Sequence, residues 1–309
     1  TDPAPPTDIS LDNASVPENA STPLEVGRLS TVDPNDGDTH TYTLVTGEGD
    51  DDNASFQIVG DALHMLVSAD YESRSSYSIR VRSTDADGLF YEEAFTISVT
   101  DVNEAPTAIH LSNASVAENL ESGAIVGNLS TVDPDAGDIH SYLLVPGEGD
   151  SGNAAFYIDG NTLKTNGPLD YEAQSTYSVR VRVTDQGSLS YESPLTITVT
   201  DVNEAPVAIS LSSTSVHENL DPGTVVGAFS ILDPDSGDTH TISLVPGDGS
   251  GSNGSFGISG LALTTAEPFD YETSIPLPIR VRATDSGGLY IEQTFTITVL
   301  DVNEPVLRV

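Results

Sequence analysis

Forty-eight Asp and Glu residues stand against ten Lys and Arg in this 309-residue chain, and many of the acids recur in short clusters. An Asp-Tyr-Glu triplet begins at Asp70, Asp170 and Asp270, and a Glu-Asn pair falls at Glu18, Glu118 and Glu218. An Asp-Pro turn sits at Asp33, Asp133 and Asp233, and Asp-Val-Asn-Glu begins at Asp101, Asp201 and Asp301. Grouped carboxylates can pass protons between them, or hold a hard cation that takes roughly 6–8 oxygens. No carboxylate pair stands outside the repeated clusters, and there is no Ser/His/Asp set, phosphate loop or HExxH. Enzyme activity is therefore not expected.

Composition narrows the classes further. Nine Arg and one Lys (Lys164) cannot neutralise a phosphate backbone, so nucleic acid is a poor partner. No stretch approaches the roughly 18 apolar residues of a membrane span and no signal peptide opens the chain, which predicts a soluble mature fragment without membrane insertion. The absence of Cys excludes a disulfide scaffold, Cys-ligated zinc and thiol catalysis. A formal net charge of −38 could mean disorder, but 37% of the residues are hydrophobic and they fall in strand-like patterns. Two explanations remain: a solvated halophile-type surface, or carboxylates gathered to hold cations.

The elements that must position these acids follow from the repeat. Each motif recurs at an offset of 100 residues, the size of a small domain, which predicts three domains over 1–104, 105–204 and 205–309. Within a domain the hydrophobic period is two. In the middle one, 107–112, 125–132, 140–145, 156–159, 162–165, 177–184 and 195–200 alternate or run in β-formers, separated by Gly, Pro, Asn and Asp. No window carries ten residues of helical period. The expected fold is all-β: three tandem seven-stranded Greek-key β-sandwiches, immunoglobulin-like in broad architecture, in an extended rod. With Trp and Cys absent, Tyr142, Phe156, Tyr177 and the aliphatic residues must build the core of the middle domain.

Two other repeated features are read structurally. Arg80/Arg82, Arg180/Arg182 and Arg280/Arg282 fall on one sheet face, expected to pair with carboxylates of neighbouring strands in preference to forming a basic ligand ladder. His40, His140 and His240 recur at one place in the repeat, which argues for a role at a strand start over acid–base or metal chemistry. Sequons such as Asn13-Ala-Ser carry weight only in a eukaryotic secretory setting.

The acids are expected at the ends of the sandwiches. Glu18, Asp70, Glu72, Asp101 and Glu104 belong at the C-terminal pole of domain one. Asp133, Asp135 and Asp185 belong at the N-terminal pole of domain two. The linker from Asp101 runs through Ala105-Pro106 directly into the next strand, so these eight carboxylates must share a small volume. Two like charges about 5 Å apart repel by roughly 3 kcal/mol at an effective dielectric of 20, so the set requires a counter-ion. All side-chain donors are oxygens, which favours Ca2+ over transition metals.

In order and spacing, the xEN, DYE, DVNEAP, DPDxGD and strand-F TD motifs resemble the calcium motifs of cadherin repeats, in the variant form of long bacterial surface adhesins. The resemblance covers all three domains. It implies about three Ca2+ per junction, held at junction one by Glu18, Asp70, Glu72, Asp101 and Glu104 with Asp135 for two ions. Asn103, Asp133, Asp135 and Asp185 would take the third, assisted by backbone oxygens of Val102 and Ala105. Junction two repeats this with Glu118, Asp170, Glu172, Asp201, Val202, Asn203, Glu204, Ala205, Asp233, Asp235 and Asp285. Half-sites are expected at the ends: Asp33, Asp85 and Asp87 beside a leading segment that lacks the linker motif, and Glu218, Asp270, Glu272, Asp301 and Glu304 where EPVLRV replaces EAP and no fourth unit follows. The implied function is a Ca2+-rigidified extension segment of a secreted or cell-surface bacterial adhesin, membrane-anchored through its parent chain. Its partners would be Ca2+, neighbouring repeats, other surface proteins or glycans. Adhesion by the repeats themselves, homophilic or to carbohydrate through Phe90, Tyr91, Tyr191 and Tyr290, is the alternative, as is an accessory module of a polysaccharide-active enzyme.

Overall fold

The computed structural model describes residues 3–303 of the chain. Apart from three single 3₁₀ turns (Asn53–Ser55, Asn153–Ala155 and Asn253–Ser255), the regular elements among the described residues are β-strands.

Domain one contains β1 (Asp8–Leu11), β2 (Ser15–Pro17), β3 (Leu24–Val32), β4 (Thr41–Leu44), β5 (Phe56–Val59), β6 (Ala62–Met65), β7 (Ser76–Thr84) and β8 (Phe90–Thr100). They form two four-stranded sheets, in the orders β1-β3-β6-β5 and β2-β8-β7-β4. Seven strands per domain are expected and eight are present, the additional short one following the first and joining the other sheet: β1 pairs antiparallel with β3, and β2 runs parallel to β8. Asn13 makes the division, its Nδ2 donating to the carbonyls of Ser15 at 2.9 Å and Val26 at 2.6 Å. The crossing brings the backbone so close to β3 that a Cβ on Gly27 would lie 2.5 Å from the Asn13 carbonyl oxygen, next to a bulge between Glu25 and Gly27.

Domain two repeats the order with β9 (Ala108–Leu111), β10 (Ser115–Ala117), β11 (Ile125–Val132), β12 (Ser141–Leu144), β13 (Phe156–Asp159), β14 (Thr162–Thr165), β15 (Thr176–Thr184) and β16 (Ser190–Thr200). Domain three does so with β17 (Ala208–Leu211), β18 (Ser215–His217), β19 (Val225–Leu232), β20 (Thr241–Leu244), β21 (Phe256–Ser259), β22 (Ala262–Thr265), β23 (Leu277–Thr284) and β24 (Tyr290–Leu300). The fold is thus three tandem β-sandwiches, each with the same pair of sheet orders.

The period of two explains which residues face inward. In β7, Ile79 and Val81 are fully buried while the intervening Arg80 and Arg82 lie on the outer face. They join Ile9, Val16, Leu63, Met65 and Ile97 in the core of domain one, whose counterpart in domain three includes Ile209, Leu263, Ile279, Val281 and Ile297. Aromatic pairs contribute to the cores of a chain that has neither disulfide nor Trp. Phe56 meets Tyr77 edge-on at 5.9 Å, Phe156 meets Tyr177 at 5.6 Å, and Phe256 packs on Phe269 at 5.4 Å. Tyr142 is half-buried, its hydroxyl 2.7 Å from that of Thr131.

Packing divides the chain into two compact units. One takes Thr1–His110, Leu129–Val145 and Val181–Ser193; the other takes Leu111–Asn128, Pro146–Arg180 and Pro194–Val309. The division runs through domain two. The first unit therefore holds domain one, the 101–105 linker and the Asp133, Asp135 and Asp185 loops together. The second holds the corresponding set for the next linker. Among the described residues, no helix is long and apolar enough to cross a membrane.

Candidate metal centres

Each centre is assembled around a buried glutamate at the end of the second strand. Glu18 is 3% exposed, and both of its oxygens accept backbone N–H groups: Tyr71 donates to Oε2 at 2.7 Å and Val102 to Oε1 at 2.8 Å. One carboxylate thus ties the Asp-Tyr-Glu loop to the linker, through two charge-assisted bonds. Beside it Asn19 takes a left-handed φ of 56°, and its Nδ2 donates to Glu104 Oε1 at 2.8 Å. Glu118 repeats the arrangement with Tyr171 and Val202, Asn119 with Glu204, and Glu218 with Tyr271 and Val302.

Around this anchor Glu18, Glu72 and Asp101 bring one oxygen each to within 4.8 Å of one another, as do Glu118, Glu172 and Asp201 in the second unit and Glu218, Asp270 and Glu272 in domain three. Burial pushes the Glu72 carboxyl above the ordinary range, and repulsion from Glu18, Asp101 and Glu104 adds to it. Asp101 is raised by burial and by Asp135, then by Glu18 and Asp138. Glu172 and Asp201 are raised in the same way, by burial first and then by their counterpart carboxylates. A cleft of ≈ 530 Å³ lies against Glu72 and Asp101, with Tyr71, Ser75, Pro134 and Ala136 in its walls. Asp70 is engaged in its own turn, accepting the N–H of Ser73 at 2.9 Å and its hydroxyl at 3.0 Å; Asp170 likewise accepts the N–H of Ala173 at 2.8 Å.

The linker joins this group to a second one. Glu104 N–H donates to Asp135 Oδ2 at 2.7 Å, and Asn103 Nδ2 donates to Asp185 Oδ2 at 3.0 Å. Gly187 makes room for that amide: a Cβ there would overlap the Asn103 side chain. Asp133, Asp138 and Asp185 bring their oxygens together within 4.8 Å. In the second unit Glu204 donates to Asp235 at 2.7 Å, Asn203 donates to Asp285 at 3.1 Å, and Gly287 gives the same clearance. A cleft of ≈ 410 Å³ there is lined by Asp201, Asn203, Asp235 and Asp238.

The structure therefore brings together Glu18, Glu72, Asp101, Asn103, Glu104, Asp133, Asp135 and Asp185, and the corresponding set about Glu118. Asp70 and Asp170 stand next to these groups with oxygens turned to their own loop. Val102 and Val202 take part through their N–H groups. Glu304 lies outside the described residues.

Two kinds of residue were missed at the level of sequence. Asp138 and Asp238 are the third acids of the DPDxGD turn, whose motif points to the first two alone as ligands. Asp138 belongs to the three-carboxylate group; its Oδ1 accepts Gln186 Nε2 at 2.7 Å, as Asp238 Oδ1 accepts the Ser286 hydroxyl at 2.7 Å. The histidines precede β4, β12 and β20 as expected, but each also reaches back to a candidate ligand. His140 Nε2 donates to Asp133 Oδ2 at 2.7 Å, His240 to Asp233 at 2.7 Å and His40 to Asp33 at 3.0 Å. Recurrence of Gly-Asp-x-His at 37–40, 137–140 and 237–240 was the available signal.

Carboxylate oxygens at these centres lack a partner. Asp138 Oδ2, Asp235 Oδ1 and Asp238 Oδ2 are buried with no hydrogen-bond donor among the described residues. Buried anionic oxygen without a donor is costly, and a hard cation is what such a set accepts. The all-oxygen donor set fits Ca2+.

The arginine ladder pairs as expected. Arg80 and Arg82 both bind Glu92, and Arg280 and Arg282 both bind Glu292. Arg182 binds Glu192 at 2.6 Å. Arg82 also lies over the Phe90 ring at 4.2 Å and Arg282 over Tyr290 at 4.1 Å, so one face of these two of the four candidate glycan-stacking rings is covered.

Sheet orders and the divided first strand define three tandem β-sandwich domains with acidic groups at their linkers. Residues 112–200 match the model of the Cadherin domain. Human protocadherin gamma-A11 is 29% identical over 320 residues, covering 96% of this chain and 34% of its own length. Mouse cadherin-24 is 30% identical over 316 residues, covering 92% of this chain and 40% of its own. The chain thus spans about a third of the first of these relatives. Among solved structures, mouse cadherin-23 EC22-24 superposes with a TM-score of 0.68 at 23% identity, covering 95% of this chain and 99% of that one. Protocadherin gamma B2 extracellular cadherin domains 1-5 give 0.69 at 22%, covering 97% and 61%.

Proposed function

We propose that this chain is a Ca2+-dependent extension segment of an extracellular, surface-attached adhesion protein, with domain boundaries near 104/105 and 204/205. The observation that carries this reading is the set of buried, donor-less carboxylate oxygens facing further carboxylates at each linker. At junction one Glu18, Glu72, Asp101, Glu104 and Asp135 would hold ions on the domain-one side, with Asp70 turning an oxygen toward them. Asn103, Asp133, Asp135, Asp138 and Asp185 would hold an ion on the domain-two side, with the Val102 and Ala105 carbonyls. Junction two uses Glu118, Asp170, Glu172, Asp201, Asn203, Glu204, Asp233, Asp235, Asp238 and Asp285, with Val202 and Ala205. About three ions per junction is the stoichiometry that the family resemblance implies.

Bound Ca2+ supplies positive charge that cancels repulsion among the carboxylates. The protein's own part is to hold them converged: Glu18 fixes the linker, His140 orients Asp133, and Gly187 admits Asn103. Ions that bind only the closed arrangement stabilise it by RT ln(1 + [L]/Kd), and extracellular modules tend to Kd values of about 10⁻⁴–10⁻³ M. Small-angle scattering with 5 mM Ca2+ and with EDTA tests the rod: an unchanged maximum dimension sinks it. The bacterial origin rests on the DYE and DVNEAP variants alone, since the relatives reported above are mammalian.

A further inference from the structure

We propose that domain one carries a single divalent-cation site at its N-terminal pole, built from its own residues Asp33, Asp38 and Asp85 and needing no linker ligand. It rests on the same oxygen-donor reading as the junctions, but on different residues.

These three carboxylates bring one oxygen each to within 4.8 Å of one another, and Asp85 is 7% exposed. Asp85 Oδ1 accepts the N–H groups of Asp87 at 2.9 Å and Leu89 at 2.8 Å, which fixes the carboxylate in place. Its Oδ2 is buried and has no donor among the described residues. No Lys or Arg ion pair reaches Asp33, Asp38 or Asp85 among the described residues; only His40 approaches, on Asp33. A buried, unpartnered anionic oxygen beside two more carboxylates is a cation's place.

The junctions show which linker ligands this pole lacks. Asp185 Oδ2 and Asp285 Oδ2 are each capped by a linker amide, Asn103 or Asn203. The leading segment of domain one follows the same path, since Ala4 N–H donates to Asn35 Oδ1 at 2.9 Å as Glu104 N–H donates to Asp135. In that register Pro3 and Ala4 stand where Asn103 and Glu104 do, and neither offers a side-chain oxygen or amide. The receiving side has changed with it: Asp87 replaces Gly187 and Gly287, the glycines whose missing Cβ seats the linker Asn. Asn35 replaces the second aspartate of the turn. Asp33, Asp38 and Asp85 remain, which leaves a three-carboxylate site, with water to complete the shell.

Native mass spectrometry of the full 309-residue chain, titrated with Ca2+, tests this by counting ions. Asp38→Asn and Asp85→Asn should each lower the saturating count by one, while Asp101→Asn combined with Asp135→Asn removes junction ions and keeps this one. Retention of the wild-type count by both single variants overturns the proposal, and if the paired variant loses ions at the same time the junction reading stands. A wild-type chain that binds no Ca2+ overturns both. Melting in EDTA shows whether each variant folds; should Asp85→Asn fail to, Asp38→Asn, at a partly exposed turn, decides.

Discussion

Glu18 Oε1 accepts the backbone N–H of Val102 at 2.8 Å across 84 residues of chain, and Glu118 repeats the bond to Val202 at 2.9 Å. The partner oxygens take Tyr71 and Tyr171. A single buried carboxylate thereby fixes where each linker leaves its sandwich, before any ion is considered.

It follows that Glu118→Ala destabilises the chain even without calcium. Two partly buried N–H groups lose a charged acceptor, at about 1–3 kcal/mol each. Urea unfolding in EDTA should show a lowered midpoint for the variant; coincident curves would mean that Glu118 matters only as an ion ligand.

Calcium itself should raise the melting temperature. An ion present at 100 times its Kd adds about 2.7 kcal/mol per site if it binds only the folded form. Calorimetry in 10 mM Ca2+ against EDTA checks this, and identical thermograms would count against bound ions at the linkers.

His140 holds the second oxygen of Asp133, in the manner of partners that orient metal ligands. Removing it as His140→Ala should weaken Ca2+ binding at the first junction by about tenfold while junction two, served by His240, keeps its affinity. Isothermal titration resolves the two classes, and unchanged binding at both junctions refutes the assignment.

The arginine ladder predicts an acid limb in stability. Glu92 lies below its ordinary value of 4.5, held down by Arg82 first and Arg80 second, and Glu292 by Arg282 and Arg280. A depressed folded value means stability that is fully present above pH about 4.5 and lost as pH falls through the lower folded value. Glu72 and Asp101 lie above their ordinary values, so in EDTA their ionisation opposes folding and is relieved by acid. The difference between wild type and Glu92→Gln isolates the first effect: it should be constant at neutral pH and shrink below 4.5. A gap that persists undiminished at pH 3 contradicts it.

Much of the architecture was open to sequence reading because strands announce themselves by a period of two and the whole pattern recurs every 100 residues. The alternation in β7, with Ile79 and Val81 in and Arg80 and Arg82 out, needed nothing beyond local chemistry. The division of the first strand at Asn13 was not readable, because it depends on an amide reaching carbonyls of two different segments.

The acids show the same boundary. The sequence by itself determined that carboxylates recur at fixed places, that no Cys joins them, and that the linker runs directly into the next strand. Only the tertiary structure decided which oxygens remain available. Asp70 turns inward to its own loop, Asp138 joins a group that its turn alone did not reveal, and Asp85 loses the amide cap that Asp185 keeps. The reason is physical: residue type and spacing specify how many charges are present, but several of the hydrogen bonds that occupy their lone pairs come from segments 31 to 85 residues away.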